Sequence, residues 1–303
     1  MDPTLRAYYR MAAERDFLKF NRTAFQEWFG KLMTKRHADD YVNVRLSTGD
    51  GGLDGYRISN NTVYQLYAPR TSTASQVVAK FTGDFTTAKK HFADNNLTMN
   101  AWTFVHNDPD DLPYEVVLKF AELKKANPDT TITRWTFEAI WNELEQLPIT
   151  DLEDLFGQGP TDEMFRILEL PAIQGVVEYL SKEEIPIGLQ QIAFPSPEKL
   201  EYNQLSQEDA DILKAGRSRQ TLVRQYFDGA PDAELGEKIA QAFRNRYATL
   251  RDSGADADII FDGLWQFAGG DHFAGQRKSL TAMIAVLAYF FDSCDIFENV
   301  PEA

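Results

Sequence analysis

The sequence predicts an α/β domain built on a mixed central sheet, followed by a mostly α-helical domain. Three observations carry this. Up to about residue 148, strand-like segments alternate with helical apolar stripes. Beyond it, helical periodicity is almost unbroken. Between the two, Leu147-Pro148 and the run Asp151 to Pro160 (Asp-Leu-Glu-Asp-Leu-Phe-Gly-Gln-Gly-Pro) mark a boundary. The expected domains are therefore residues 1–148 and 151–303.

Residues 4–36 read as helical, with Phe17, Phe20, Phe25, Trp28, Phe29, Leu32 and Met33 near i, i+3, i+4 spacing. Asn21 or Thr23 is placed to cap a second helix there. Gln26, three residues beyond Thr23, would close a capping box. Residues 41–46 alternate with period two and read as a strand. Gly49 to Gly55 is a turn, Arg57-Ile58 begins a second strand, and Asn60-Asn61 is a hairpin signal. Thr62 to Ala68 is a third strand, ended by Pro69. Residues 74–94 carry a helical stripe of Val77, Val78, Phe81, Phe85, Ala88 and Phe92. Strands at 101–106 and 131–137 then alternate with helices at 113–126 and 137–147. In the second domain, helices are expected at 161–170, 172–181, 206–227, 232–253, 256–268 and 277–292. Residues 185–200, rich in proline, read as irregular.

Bulk composition is that of a globular protein, with 43% apolar and 25% charged residues. The longest apolar run, Leu280 to Phe291, covers about half of the ~20 residues a bilayer span needs. With no apolar signal region at the N-terminus, a cytoplasmic location and no membrane contact are expected. A single cysteine, Cys294, excludes an internal disulfide and a cysteine-rich zinc site. The net charge of −15 is uneven. Residues 1–100 hold 14 Lys and Arg against 10 Asp and Glu, whereas residues 151–303 hold 13 against 27. Such asymmetry suggests a different partner for each half. The acidic half suits a basic protein surface or serves solubility alone.

The chemistry concentrates between Gly49 and Pro69. Gly-Asp-Gly-Gly-Leu-Asp-Gly-Tyr is followed by Val-Tyr-Gln-Leu-Tyr-Ala-Pro, with Asp54 eleven positions before Gln65. Asp54 in a glycine-rich turn and Gln65 inside the next strand give two oxygen ligands for a hard divalent cation. That layout points to a metal-dependent nuclease of the restriction-endonuclease-like fold, using Mg²⁺ or Mn²⁺. Asp-Gly is also commonplace in plain hairpin turns. Gln65 could equally find a cross-strand hydrogen bond. Asp50 is a second candidate metal ligand or an Asx-turn residue. A lysine is expected two residues after Gln65, but Tyr67 stands there, and a phenol carries no positive charge. Lys80, on the following helix, is the candidate replacement, although Asp84 at i+4 offers it a surface ion pair. Glu27, on the N-terminal helix, could complete the metal site or be merely solvated. His106, Asn107 and Asp108 suit turn chemistry or substrate contact. No Gly-x-x-x-x-Gly-Lys-Ser/Thr loop, calcium loop or Gly-x-Ser-x-Gly elbow occurs.

Taken together, Phe25 to Met33, Gly49 to Tyr56, Val63 to Pro69, Lys80 to Phe85 and Trp102 to Asp108 resemble the nuclease effectors of bacterial ABC-three-component anti-phage systems, among them Lamassu. Leu205 to Gly270 is similar as well. The resemblance implies an endonuclease that cuts double-stranded DNA, with Asp54 and Gln65 at the metal-binding positions. It implies an SMC/Rad50-like ATPase and a small bridging subunit that hold the effector inactive. It also implies release into an active homo-oligomer. The departure at Tyr67 leaves a catalytically inactive scaffold of the same complex as the other reading.

Overall fold

A computed structural model of the chain describes residues 1–44, 52–108, 112–182, 199–293 and 296–297. Cys294, Asp50 and most of the proline-rich 185–200 segment lie outside the described residues. The chain divides into two compact units, Ala13–Leu152 and Met1–Ala12 with Glu153–Ala303. The first twelve residues thus belong with the C-terminal unit, whereas the sequence-based division puts them in the first domain. Their apolar side chains explain it: Leu5, Tyr8 and Tyr9 are buried. Tyr9 meets Phe156 ring to ring, and the Tyr8 hydroxyl donates to the Phe156 carbonyl.

In the Ala13–Leu152 unit, helix α1 (Pro3–Lys19) contributes its C-terminal turns and α2 (Arg22–His37) follows. Strands β1 (Tyr41–Asn43), β2 (Gly55–Arg57) and β3 (Thr62–Tyr67) come next. Helix α3 (Ala74–Asp94), β4 (Ala101–His106), α4 (Tyr114–Ala126), β5 (Thr131–Trp135), α5 (Phe137–Leu144) and the first turn of α6 (Ile149–Phe156) complete the order, the rest of α6 belonging to the C-terminal unit. The sheet is mixed, in the order β1-β2-β3-β4-β5. β1, β2 and β3 pair antiparallel, and β3, β4 and β5 pair parallel. The Asn60-Asn61 turn forms as expected, with Asn61 at φ +52°.

One face of the sheet packs on α3 and α4. Val63, Trp102, Phe104 and Ile132 meet Val77, Phe81, Phe85 and Ala88 there. Phe81 lies edge-on to both Trp102 and Phe104, at 5.2 and 5.3 Å between ring centres. The other face packs on α2 through Phe29 against Tyr64 and Trp135.

The C-terminal unit contains α7 (Asp162–Arg166), α8 (Leu170–Leu180), α9 (Lys199–Tyr202), α10 (Gln207–Arg217), α11 (Gln220–Asp228), α12 (Leu235–Asp252), α13 (Ala257–Phe267) and α14 (Arg277–Ser293). Helix α14 is its axis, buried on nearly every side, with α7, α8, α10 and α11 around it. Gly216 lets α10 approach closely: a Cβ there would fall 2.5 Å from the Ile284 carbonyl oxygen. Arg217 grips Asp292 with two N–H groups, at 2.8 and 2.6 Å. No helix among the described residues is long and apolar enough to cross a membrane.

Three local expectations need correction. The run Asp151 to Pro160, read as a boundary, begins inside a helix: Ile149 to Phe156 form α6 with Leu152 buried, stopped at Gly157 with φ +79°. The single helix expected at 206–227 is two, broken at Ser218-Arg219 so that α10 and α11 each pack on α14. The Thr23–Gln26 capping box does not form: α2 starts at Arg22 after Asn21, and no side chain caps it.

Phe81→Ala, at the centre of the aromatic packing under the sheet, is expected to destabilise by about 3–5 kcal/mol in urea unfolding. Asp40 accepts from Arg57 Nε at 2.8 Å and from the Ser59 hydroxyl at 2.7 Å. These donors hold its carboxyl down at about 2. A carboxyl depressed on folding stabilises above its unfolded value, and that stabilisation fades as pH falls from about 4 to about 2. Asp40→Asn should flatten the acid limb of the stability profile in that window.

Candidate functional site

The turn before β2 brings Asp54 against β3. Its backbone N–H donates to the Tyr64 carbonyl at 2.8 Å, and its carbonyl accepts from Val44 N–H at 3.0 Å. Its carboxylate collects three donors. Gln65 Nε2 and the Leu66 backbone N–H both reach Oδ2 at 2.7 Å. Gln26 Nε2 reaches Oδ1 at 2.8 Å. Asp54 and Gln65, chosen from the sequence, are therefore in direct contact.

Gln65 is 1% exposed. Its register partner across the parallel pair is Phe104, and it shares the α3-facing side with Val63 and Tyr67. Its Oε1 is buried without a hydrogen-bond partner among the described residues. An orphaned buried amide oxygen costs about 1–3 kcal/mol. Gln65 meets the Asp54 carboxylate through Nε2, and a half-turn of the amide would bring this oxygen to the carboxylate as a second hard ligand. That donor set fits Mg²⁺ or Mn²⁺. Among the described residues no group of three or more His, Cys, Asp or Glu completes a metal cluster, and Asp50 lies outside them.

The glycines of the motif are explained by packing. Gly52 has φ +77°, and a Cβ on it would fall 2.2 Å from the Asp84 carbonyl oxygen on α3. Gly55 lies beneath Tyr41, whose hydroxyl oxygen would be 2.1 Å from an added Cβ. Gly52 thus permits close approach to a helix backbone, and Gly55 to a tyrosine ring. Burial and the neighbouring Tyr64 and Asp54 push the Tyr41 phenol well above its ordinary range. Burial likewise pushes Tyr64 up to about 12.

Lys80 pairs with Asp84 at 3.1 Å, and Asp84 is 8% exposed. Because the Asp84 carbonyl abuts Gly52, this pair stands beside the turn that carries Asp54. Glu27 is exposed. Its neighbour Gln26 is the α2 residue that reaches Asp54, a role the sequence reading gave to capping. One residue along a helix turns the side chain by about 100°, so Gln26 and Glu27 cannot both face the same group. Tyr67 stacks on Phe104 at 5.7 Å between ring centres and lies beside His106 in the parallel register.

Residues 172–298 match the family model described as C-terminal domain 10 of the ABC-three component (ABC-3C) systems. The matched residues all lie in the C-terminal unit. No curated protein matches the chain, and no solved structure does.

Asp54→Ala removes the acceptor of three N–H groups. It is expected to destabilise the protein by about 1–3 kcal/mol in urea unfolding, more than Gln26→Ala, which leaves the other two donors paired.

Proposed function

We propose that this chain is the nuclease effector subunit of an ABC-three-component anti-phage system: a metal-dependent endonuclease acting on double-stranded DNA. Its N-terminal unit would be of the restriction-endonuclease-like class. The observation that carries this reading is the contact between Asp54 and Gln65, whose buried amide keeps its oxygen unpaired among the described residues. The mixed sheet flanked by α2 and by α3 supports it, as does the match over residues 172–298.

Asp54 and Gln65 would hold Mg²⁺ or Mn²⁺, which when bound supplies a hydroxide at neutral pH and neutralises phosphate charge. The chain's own groups prepare the site. Gln26 and the Leu66 N–H fix the orientation of the Asp54 carboxylate. Burial between β4 and α3 fixes Gln65. Lys80, oriented by Asp84, is the cation assigned to the charge that develops on the phosphate. An SMC/Rad50-like ATPase and a bridging subunit would restrain the effector, docking on the acidic C-terminal unit. One active site cuts one strand, so double-strand cutting takes a homo-oligomer.

A second reading, a nuclease-fold scaffold without catalysis, draws on the same geometry. The three donors to Asp54 also suffice for a purely structural clamp, and Tyr67 stands where the in-strand lysine is expected.

Plasmid cleavage with Mg²⁺ or Mn²⁺ against EDTA separates the two, run with the partner complex and linear DNA present. Asp54→Asn keeps the side-chain shape and is expected to lower the rate on the order of a hundredfold or more. Lys80→Ala should lower it by about 10²–10³. Cutting lost in Asp54→Asn but kept in Lys80→Ala discards the role of Lys80 alone. No cutting by the unmodified protein under any of these conditions favours the scaffold.

A further inference from the structure

We propose that a cavity of about 300 Å³ at the C-terminal ends of β3 and β4 seats a phosphodiester of a bound DNA strand, with Arg70 as its cation and His106 as its buried donor. The proposal rests on the nuclease reading above and states where on the protein the substrate strand lies.

The cavity opens where the parallel strands end, with Tyr67 and His106 side by side in register. Ligands of open α/β sheets bind outside the carboxyl ends of the strands. Tyr67 lies two residues beyond Gln65 on the same face, about 7 Å along the strand. A strand held in the cavity therefore runs beside the Asp54–Gln65 pair.

The lining has the chemistry of a phosphate seat. Arg70 is exposed at the cavity and forms no ion pair with a described residue. Its one recorded hydrogen bond is a long one, from Nε to Asn21 Oδ1 at 3.5 Å. A guanidinium with that freedom presents a planar fork matched to two phosphate oxygens. His106 lies deeper, 1% exposed, its ring 6.1 Å from that of Phe104. An imidazole N–H in so little water is a stronger partner for an anionic oxygen than a solvated one. Thr71 and Ser72 add neutral donors, and the half-buried Tyr67 ring offers a stacking surface for a base or sugar. Among the described lining residues the one carboxylate, Asp108, is exposed, where water and salt screen it. Arg70 and His106 thus add positive charge and donor capacity beside Tyr67, for holding the strand, apart from the role given to Lys80.

The test is fluorescence anisotropy of the purified full chain with a short fluorescein-labelled DNA duplex in EDTA, which reads binding without cleavage. Arg70→Ala is expected to weaken binding about five- to tenfold and to lower the slope against salt by about one. Arg70→Lys should restore part of the affinity, and His106→Gln should weaken binding as well. Lys89→Ala, on α3 away from the cavity, should leave it unchanged. Thermal melting identifies a variant that fails to fold. If His106→Gln does, the exposed Arg70 still decides the matter. Arg70→Ala binding as tightly as the unmodified chain overturns the proposal, as does tight inorganic phosphate binding without duplex binding. Unchanged binding in the variants with metal-dependent cutting retained would sink this site and leave the nuclease. Arg70-dependent binding without any cutting would keep the site and sink the nuclease.

Discussion

The N-terminal unit turns on one hydrogen bond, from the Leu66 backbone N–H to the Asp54 carboxylate. The β2–β3 ladder ends at Gly55 opposite Tyr64. One step further, Leu66 has no β2 carbonyl in its register, and a side chain takes that place. The same carboxylate receives an amide from inside the sheet and another from α2. Two segments distant in sequence, β3 and α2, are thereby fixed to one charged group, and a buried N–H that would otherwise be unsatisfied is paired. Whatever chemistry Asp54 performs, it performs from a position the fold itself requires.

That dual role explains what was legible in the sequence. Asp54 and Gln65 stood out because a polar residue inside an apolar strand, next to a glycine-rich turn, has few innocuous explanations. The α3 stripe was readable from periodicity alone, and Val77, Phe81, Phe85, Ala88 and Phe92 are all buried. Gln26 was not readable. Its neighbour Glu27 is the better metal ligand by residue type, and only the rotation of α2 about its axis decides which one faces the turn. The break at Ser218-Arg219 was equally hidden, since both halves continue one amphipathic pattern and the kink answers to the packing of α14. Gly52 and Gly55 mark a turn in the sequence, but their neighbours, a helix carbonyl and a tyrosine hydroxyl, are tertiary.

Charge and burial are divided between the units. The C-terminal unit spends its apolar residues on enclosing α14, so the acidic residues that dominate its composition are left to face outward. At physiological salt their field reaches about 8 Å from the surface. It repels a polyanion and attracts a basic protein. The mildly basic first hundred residues include both the Asp54–Gln65 contact and Arg70. Composition thus assigns opposite electrostatic preferences to the two parts of the chain.

Helix α1 carries a further consequence. Its first turns belong to the C-terminal unit through Leu5, Tyr8 and Tyr9, and its last turns belong to the N-terminal unit through Phe17, which meets Phe25, Trp28 and Phe137. Helices shorter than about 12–15 residues are marginal on their own in water. Melting either unit would strip the partners from half of α1 and leave the other half as a fraying stub. Each half of α1 therefore takes its order from the side chains of the unit it packs in, and neither half has enough length to hold that order by itself.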